Sequence, residues 1–158
     1  VIRSLDYFNG SLDYLIVDTP AGASDSSIEF AAACDNVVIV LVGEPTSFMD
    51  AYAFIKALNL EKGIKNVSVI VNLANGKKDA ETSFERFEAI CKKFLSIDLV
   101  FLGWLPESKI ISKSILARKP YAINKNIDRN LSTRIEEIVQ NMMILKPFYS
   151  NNIRFFNN

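Results

Sequence analysis

The sequence predicts an α/β fold: a doubly wound, mainly parallel sheet with helices on both faces. Three observations carry this. Short apolar runs at residues 14–17, 37–42, 67–71 and 99–105 read as strands, and helix-period patterns fill the gaps between them. The run at 37–42, Val-Val-Ile-Val-Leu-Val, shows no polar alternation, as expected of a strand covered on both faces in the middle of a parallel sheet. The run at 14–17 leads into Asp18-Thr19-Pro20-Ala21-Gly22. It reads as a buried strand that delivers a carboxylate to its C-terminal edge and stops in a loop, where open α/β sheets place their ligands.

The elements follow in order. Residues 26–34 form a short helix. Ser47 opens a longer one, with Asp50 three residues on in the manner of a capping box, and Ala51, Phe54, Ile55 and Leu58 recur at helix spacing. Phe84, Phe87, Ile90, Cys91 and Phe94 mark a third apolar stripe. Ile110, Ile111, Ile115 and Leu116 mark a shorter fourth, and Ile135, Ile138, Val139 and Met142 a fifth. Successive strand–helix–strand units cross over right-handedly, which wraps the sheet. Residues 1–145 make one domain and 146–158 an apolar, Asn-rich tail. Pro147 and the Asn151-Asn152 pair argue against a continuous amphipathic helix there, so the tail is expected to pack on the domain, or to be disordered, rather than lie on a membrane.

A chain of 158 residues can bury about two-thirds of its unfolded surface in one core. With 49% hydrophobic and 23% charged residues, and no apolar run near the ~20 needed to span a bilayer, it reads as soluble and globular. No charged-then-apolar leader is present at its start, which makes the cytoplasm the expected compartment. Residues 1–79 carry 6 basic and 10 acidic side chains, and residues 80–158 carry 12 and 8. That balance argues against a nucleic-acid partner, and Lys109, Lys113, Arg118, Lys119, Lys125, Arg129 and Arg134 read as a solvated face. There is no histidine, which removes the usual general base and the commonest zinc ligand. Cys34 and Cys91 lie far apart in apolar, helix-like settings and read as buried reduced thiols.

The chemistry concentrates at the first predicted strand end. Asp18 can hold a hydrated Mg²⁺, which prefers one or two carboxylates together with phosphate oxygens and keeps most of its waters. Gly22 has no Cβ, so its amide can come close to a terminal phosphate. An Asp at a strand end also bonds nearby amides without any ligand, and that simpler role stays open at this point. The phosphate-cradling pattern Gly-x-x-x-x-Gly-Lys-Ser/Thr does not occur. Asn75-Gly76-Lys77-Lys78 has Val71 where the first glycine should stand and Asp79 instead of a hydroxyl residue beyond the lysines, so it reads as a polar turn. The chain opens on Val1, which predicts the back part of a longer protein whose N-terminal part is missing.

The Asp18 to Gly22 motif, preceded by Asp13-Tyr14-Leu15-Ile16-Val17, resembles the second nucleotide motif of the MinD/ParA class of P-loop ATPases. The stretch from Phe30 to Val40, followed by Glu44-Pro45-Thr46-Ser47-Phe48-Met49-Asp50, is similar to the FlhG and FleN flagellar-number regulators within that class. Val69-Ile70-Val71-Asn72 and Leu102-Gly103-Trp104-Leu105-Pro106-Glu107 agree with two later motifs of the same class, and the likeness covers roughly residues 5–125.

The resemblance implies ATP and Mg²⁺ as ligands. Asp18 would bind a Mg²⁺-coordinated water, and Pro20, Ala21 and Gly22 would sense the γ-phosphate. Asn72 would hydrogen-bond adenine, and the backbone at Pro106 and Glu107 would line the base pocket. It further implies a face-to-face homodimer in the ATP state, a protein partner in the flagellar or division machinery, and a site at or near the inner membrane. In the family the phosphate-cradling lysine and the water-orienting Asp lie upstream of this region, so this chain by itself is expected to be inactive as an ATPase. On their own, Asn72 is an ordinary strand-end turn residue, Pro106 is punctuation, and Glu107 favours a following helix start. Iron–sulfur carriers of the same fold class bear a Cys-x-x-Cys pair in this half, whereas only two isolated cysteines occur here.

Overall fold

The computed structural model describes residues 11–120 and 128–145 together with Phe155. Within them the order is α1 (Asp25–Ala33), β1 (Val38–Val42), α2 (Pro45–Lys62), β2 (Asn66–Ala74), α3 (Lys77–Phe94), β3 (Asp98–Pro106), α4 (Lys109–Leu116) and α5 (Arg129–Met143). The strands form one parallel sheet in the order β1-β2-β3, with Leu41 opposite Val71, Val42 opposite Asn72 and Val69 opposite Phe101. This is the parallel α/β architecture that the sequence predicts.

One face of the sheet carries the core. Leu41, Val67, Val69, Val71 and Leu99 pack with Ile55 and Leu58 of α2 and with Ala80, Phe87 and Cys91 of α3. The side chains of a strand alternate between faces, so Val40 belongs to the opposite face, where it is 59% exposed. The apolar run of β1 calls for cover on both faces, and the described residues cover only one. On β3, α5 comes close enough that a Cβ at Gly103, whose φ is +145°, would stand 2.7 Å from Ile138 Cγ1. Asn141 Nδ2 of α5 donates to the Leu102 carbonyl at 2.8 Å. At the other end of the sheet, Asn59 Nδ2 donates to the carbonyls of Ile64 and Ser96, tying the end of α2 to the entries of β2 and β3.

Two expectations are corrected. Residues 14–17 form no strand. Ile16 is 88% exposed, and no described segment supplies the ladder that the backbone groups of an extended segment require. Ser47 does not open α2. That helix starts at Pro45, a residue suited to the first helical turn because it has no N–H to satisfy, and its N-cap Glu44 makes no side-chain capping bond. Ser47 Oγ instead accepts the Val42 N–H at 3.0 Å, so it terminates β1.

The fourth stripe is helical as predicted but buries nothing, with Leu116 at 85% exposure. The tail lies outside the described residues except for Phe155. That ring is buried, stacks on Phe30 with centroids 6.0 Å apart, and its N–H donates to the Ala33 carbonyl at 3.3 Å.

The two faces of β1 should respond differently to substitution. Leu41→Ala removes a fully buried side chain and is expected to cost about 2–5 kcal/mol. Val40→Thr is expected to stay within about 0.5 kcal/mol. Urea unfolding of both variants checks the difference.

Candidate functional site

A cleft of about 430 Å³ lies between the segment from Val17 to Gly22 and the outer side of β1, lined there by Val37, Val38, Ile39 and Val40 and closed by the first turns of α2. Asp18, Pro20, Ala21 and Gly22 all line it. The loop is held by the helix that follows. Ser24 caps α1 by accepting the Ser27 N–H at 3.2 Å, and the buried Ser27 hydroxyl reaches the Pro20 carbonyl at 3.5 Å. Gly22 has φ +98°, a conformation other residues adopt only with strain, and nothing stands within 4 Å of where a Cβ would be. The glycine is therefore required by the backbone conformation and not by crowding at its Cβ position.

The charges in this cleft decide what it can hold. Asp18 and Asp50 line it, and neither lysine nor arginine does. Two carboxylates suit a hard divalent cation with its waters. A triphosphate is repelled unless cations are brought in from elsewhere. The donor set therefore fits Mg²⁺ and a metal-bound phosphate edge, and it lacks the groups that would neutralise the rest of a nucleotide.

The residues expected to contact adenine stand elsewhere on the same edge of the sheet. Asn72 is near the end of β2, and the strand is irregular immediately after it. Leu73 has φ +57°, and the β2–β3 register slips between Val71 and Ala74, so that Ala74 pairs with Pro106. Such bulges re-aim the side chains beside them. Asn72 and Pro106 thus come to neighbouring strand ends, with Glu107 exposed just beyond. None of the three lines the Asp18 cleft. Two residues that matter there carried other sequence signals. Asp50 was read as a helix cap and instead faces the cleft. Ser27 sat unremarked inside a Ser-Asp-Ser-Ser cluster whose first serine is the α1 cap.

Both thiols are free, and both are held protonated. Burial pushes Cys34 from 9.0 up to about 11, with the negative charge of Asp35 adding to the shift. Burial does the same to Cys91, to about 11, aided by Glu88. Among the described residues no group of three or more His, Cys, Asp or Glu side chains is placed to hold a metal ion.

Residues 3–143 match the ParA family, described as NUBPL iron-transfer P-loop NTPase. The chain is 33% identical over 115 residues to the antiactivator FleN of Pseudomonas aeruginosa, covering 73% of this chain and 41% of that protein. It is 34% identical over 110 residues to the flagellum site-determining protein YlxH of Helicobacter pylori, covering 69% of this chain and 37% of that one. The chain thus spans about two fifths of the length of these curated relatives.

The raised thiol pKa values predict slow chemistry. At pH 8 only about one thiol in a thousand is ionised, so alkylation by iodoacetamide should run on the order of a hundredfold slower than for a free cysteine. The rate should climb steeply as pH rises from 9 toward 11. Mass spectrometry of the labelled peptides reads both.

Proposed function

The chain belongs to the ParA family of P-loop NTPases, and on that premise we propose that it is the switch-bearing part of an ATP-dependent molecular switch of the MinD/FlhG type. Such a switch regulates the placement or number of a cell structure such as flagella, as the names of the two relatives suggest. The observation that supports this reading best is the Asp18 to Gly22 loop, bent by a glycine and lining a carboxylate-bearing cleft beside the free side of β1.

The physics of the switch lies in a difference. ATP exceeds ADP by one phosphoryl group, so a conformational response must come from contacts made to that group and its metal. Asp18 would hold a water of a bound Mg²⁺, which would supply charge neutralisation, and the Gly22 amide would meet the terminal phosphate. Ser27 carries the movement of the loop into α1 through the Pro20 carbonyl. The cations that this cleft lacks come from a phosphate-binding loop on another segment, which also completes the homodimer. Mg²⁺ and that loop together supply the charge neutralisation on which phosphoryl transfer chiefly relies. Asn72, with the backbone at Pro106 and Glu107, receives the adenine. The switch works in the cytoplasm, at the periphery of the inner membrane when its partner in the flagellar or division machinery is there.

A second reading is a non-enzymatic interaction scaffold, or a decayed remnant of such an ATPase. It is favoured by one specific fact: these 158 residues contain no Gly-x-x-x-x-Gly-Lys-Ser/Thr sequence.

Isothermal titration with Mg-ATP separates the two. When a segment bearing a phosphate loop is supplied, the switch reading predicts binding in the micromolar range, about −8 kcal/mol. Asp18→Asn should then weaken the Mg²⁺-dependent part by roughly tenfold, since the charged acceptor for a metal-bound water is lost. Silence in that complemented state would leave the scaffold reading in place.

A further inference from the structure

A second cleft opens at the far end of β1 and shares no residue with the one that holds Asp18. It has about 570 Å³ of space between Gly43, which follows β1, and the first turns of α3. We infer that this cleft is a binding site for a phosphate group, held by the N-terminal amides of α3, by Lys78 and Arg86, and by the Ser83 hydroxyl.

Four observations converge on that chemistry. First, α3 is 18 residues long and begins after Gly76 without a side-chain cap, and its first backbone bond runs from the Ala80 N–H to the Gly76 carbonyl. The amides before Ala80 in this turn therefore point outward without intrahelical partners, and the helix dipole adds a positive partial charge. Second, the cleft is lined by Lys77, Lys78 and Arg86. Lys77 is partly neutralised by Glu81 at 3.7 Å, whereas Lys78 and Arg86 form no ion pair among the described residues.

Third, the single carboxylate lining the cleft, Asp79, turns its Oδ2 to the backbone and side-chain amides of Asn75, at 2.9 and 3.3 Å, and its charge is outnumbered by the three cations there. Fourth, Ser83 is only 7% exposed, yet its hydroxyl has no hydrogen-bond partner among the described residues. That Oγ is not sealed from solvent, so it remains open to a ligand oxygen. Its Oγ faces the cleft across Gly43, where a Cβ would stand 2.8 Å from it. A tetrahedral oxyanion entering there would satisfy the hydroxyl, the outward amides and the two free cations together.

The geometry asks for a phosphate and does not say what carries it. Inorganic phosphate and a nucleotide phosphate offer the same oxygens.

The test is a titration of the ¹⁵N-labelled chain with potassium phosphate, exchanged against chloride at constant ionic strength. Saturable shifts are expected at the amides of Gly76, Lys77, Lys78 and Asp79, and Arg86→Gln should raise the dissociation constant about five- to tenfold. Ser83→Ala should weaken phosphate binding while leaving the melting temperature of the phosphate-free chain unchanged, because the hydroxyl makes no hydrogen bond within the described residues that the substitution could break. A purely structural serine would give the opposite pattern. Parallel titrations with AMP and adenosine identify the source. Tighter binding of AMP than of phosphate, with adenosine silent at these amides, assigns a nucleotide phosphate; equal binding of AMP and phosphate assigns the free ion. Shifts that grow linearly and spread over the lysines of the second half would overturn the site, as would unchanged affinity in Arg86→Gln.

Discussion

Parallel pairing of β1, β2 and β3 is the constraint from which the rest of the molecule follows. Parallel neighbours cannot be joined by a tight turn, so each step from strand to strand must pass through a helix, and every strand ends on the same edge. That edge therefore collects the loops: Gly43 after β1, Asn72 to Gly76 around the end of β2, and Pro106 and Glu107 at the end of β3. At β1 the core beneath them is one-sided. Leu41, Val69 and Phe87 fix the register against α2 and α3, while Val40 looks out from the other face and the outer edge of β1 has no ladder partner among the described residues. A rigid sheet with open loops at one end is a good platform for a site, and an apolar strand with a free edge is an incomplete one.

Charge is sorted around the end of β1. On the outer side, Asp18 and Asp50 face a cleft without a cation. On the side toward α3, Lys77, Lys78 and Arg86 face one with a single carboxylate, Asp79. The first arrangement attracts a metal and repels bare phosphate; the second does the reverse. A metal-bound polyphosphate needs both kinds of neighbour, so in the proposed switch the acidic cleft would need cations from another segment. The loop itself is built to respond, since Gly22 holds its bend without packing and Ser27 couples it to α1 through one long hydrogen bond.

Much of this was legible in the sequence because unalternating apolar runs can be little else than buried strands, and the runs at 37–42, 67–71 and 99–105 are strands. The run at 14–17 has the same composition and is not one, because pairing is a property of two segments and the sequence of one cannot reveal whether the other is present. Helix existence was readable from periodicity, but the partner of each polar side chain was not. Ser47 had the spacing of a cap and bonds the end of β1 instead, because Pro45 begins the helix two residues earlier. The α4 stripe of Ile110, Ile111, Ile115 and Leu116 was readable as helix and not as exposed, since amphipathicity says which face wants cover and not whether cover is at hand. For the site, the motif at Asp18 to Gly22 was visible. The irregularity at Leu73, after which Ala74 and not Leu73 pairs with Pro106, was not, because it arises from the register of two strands.

The central claim is that the Asp18 to Gly22 loop distinguishes a metal-bound triphosphate from a diphosphate. Hydrogen exchange of the peptide spanning residues 14–24, measured in the complemented protein with Mg-ATP and then with Mg-ADP, tests it most directly. The account predicts slowed exchange at these amides with ATP that disappears with ADP. Equal exchange in the two nucleotide states, in a protein shown to bind both, would contradict it.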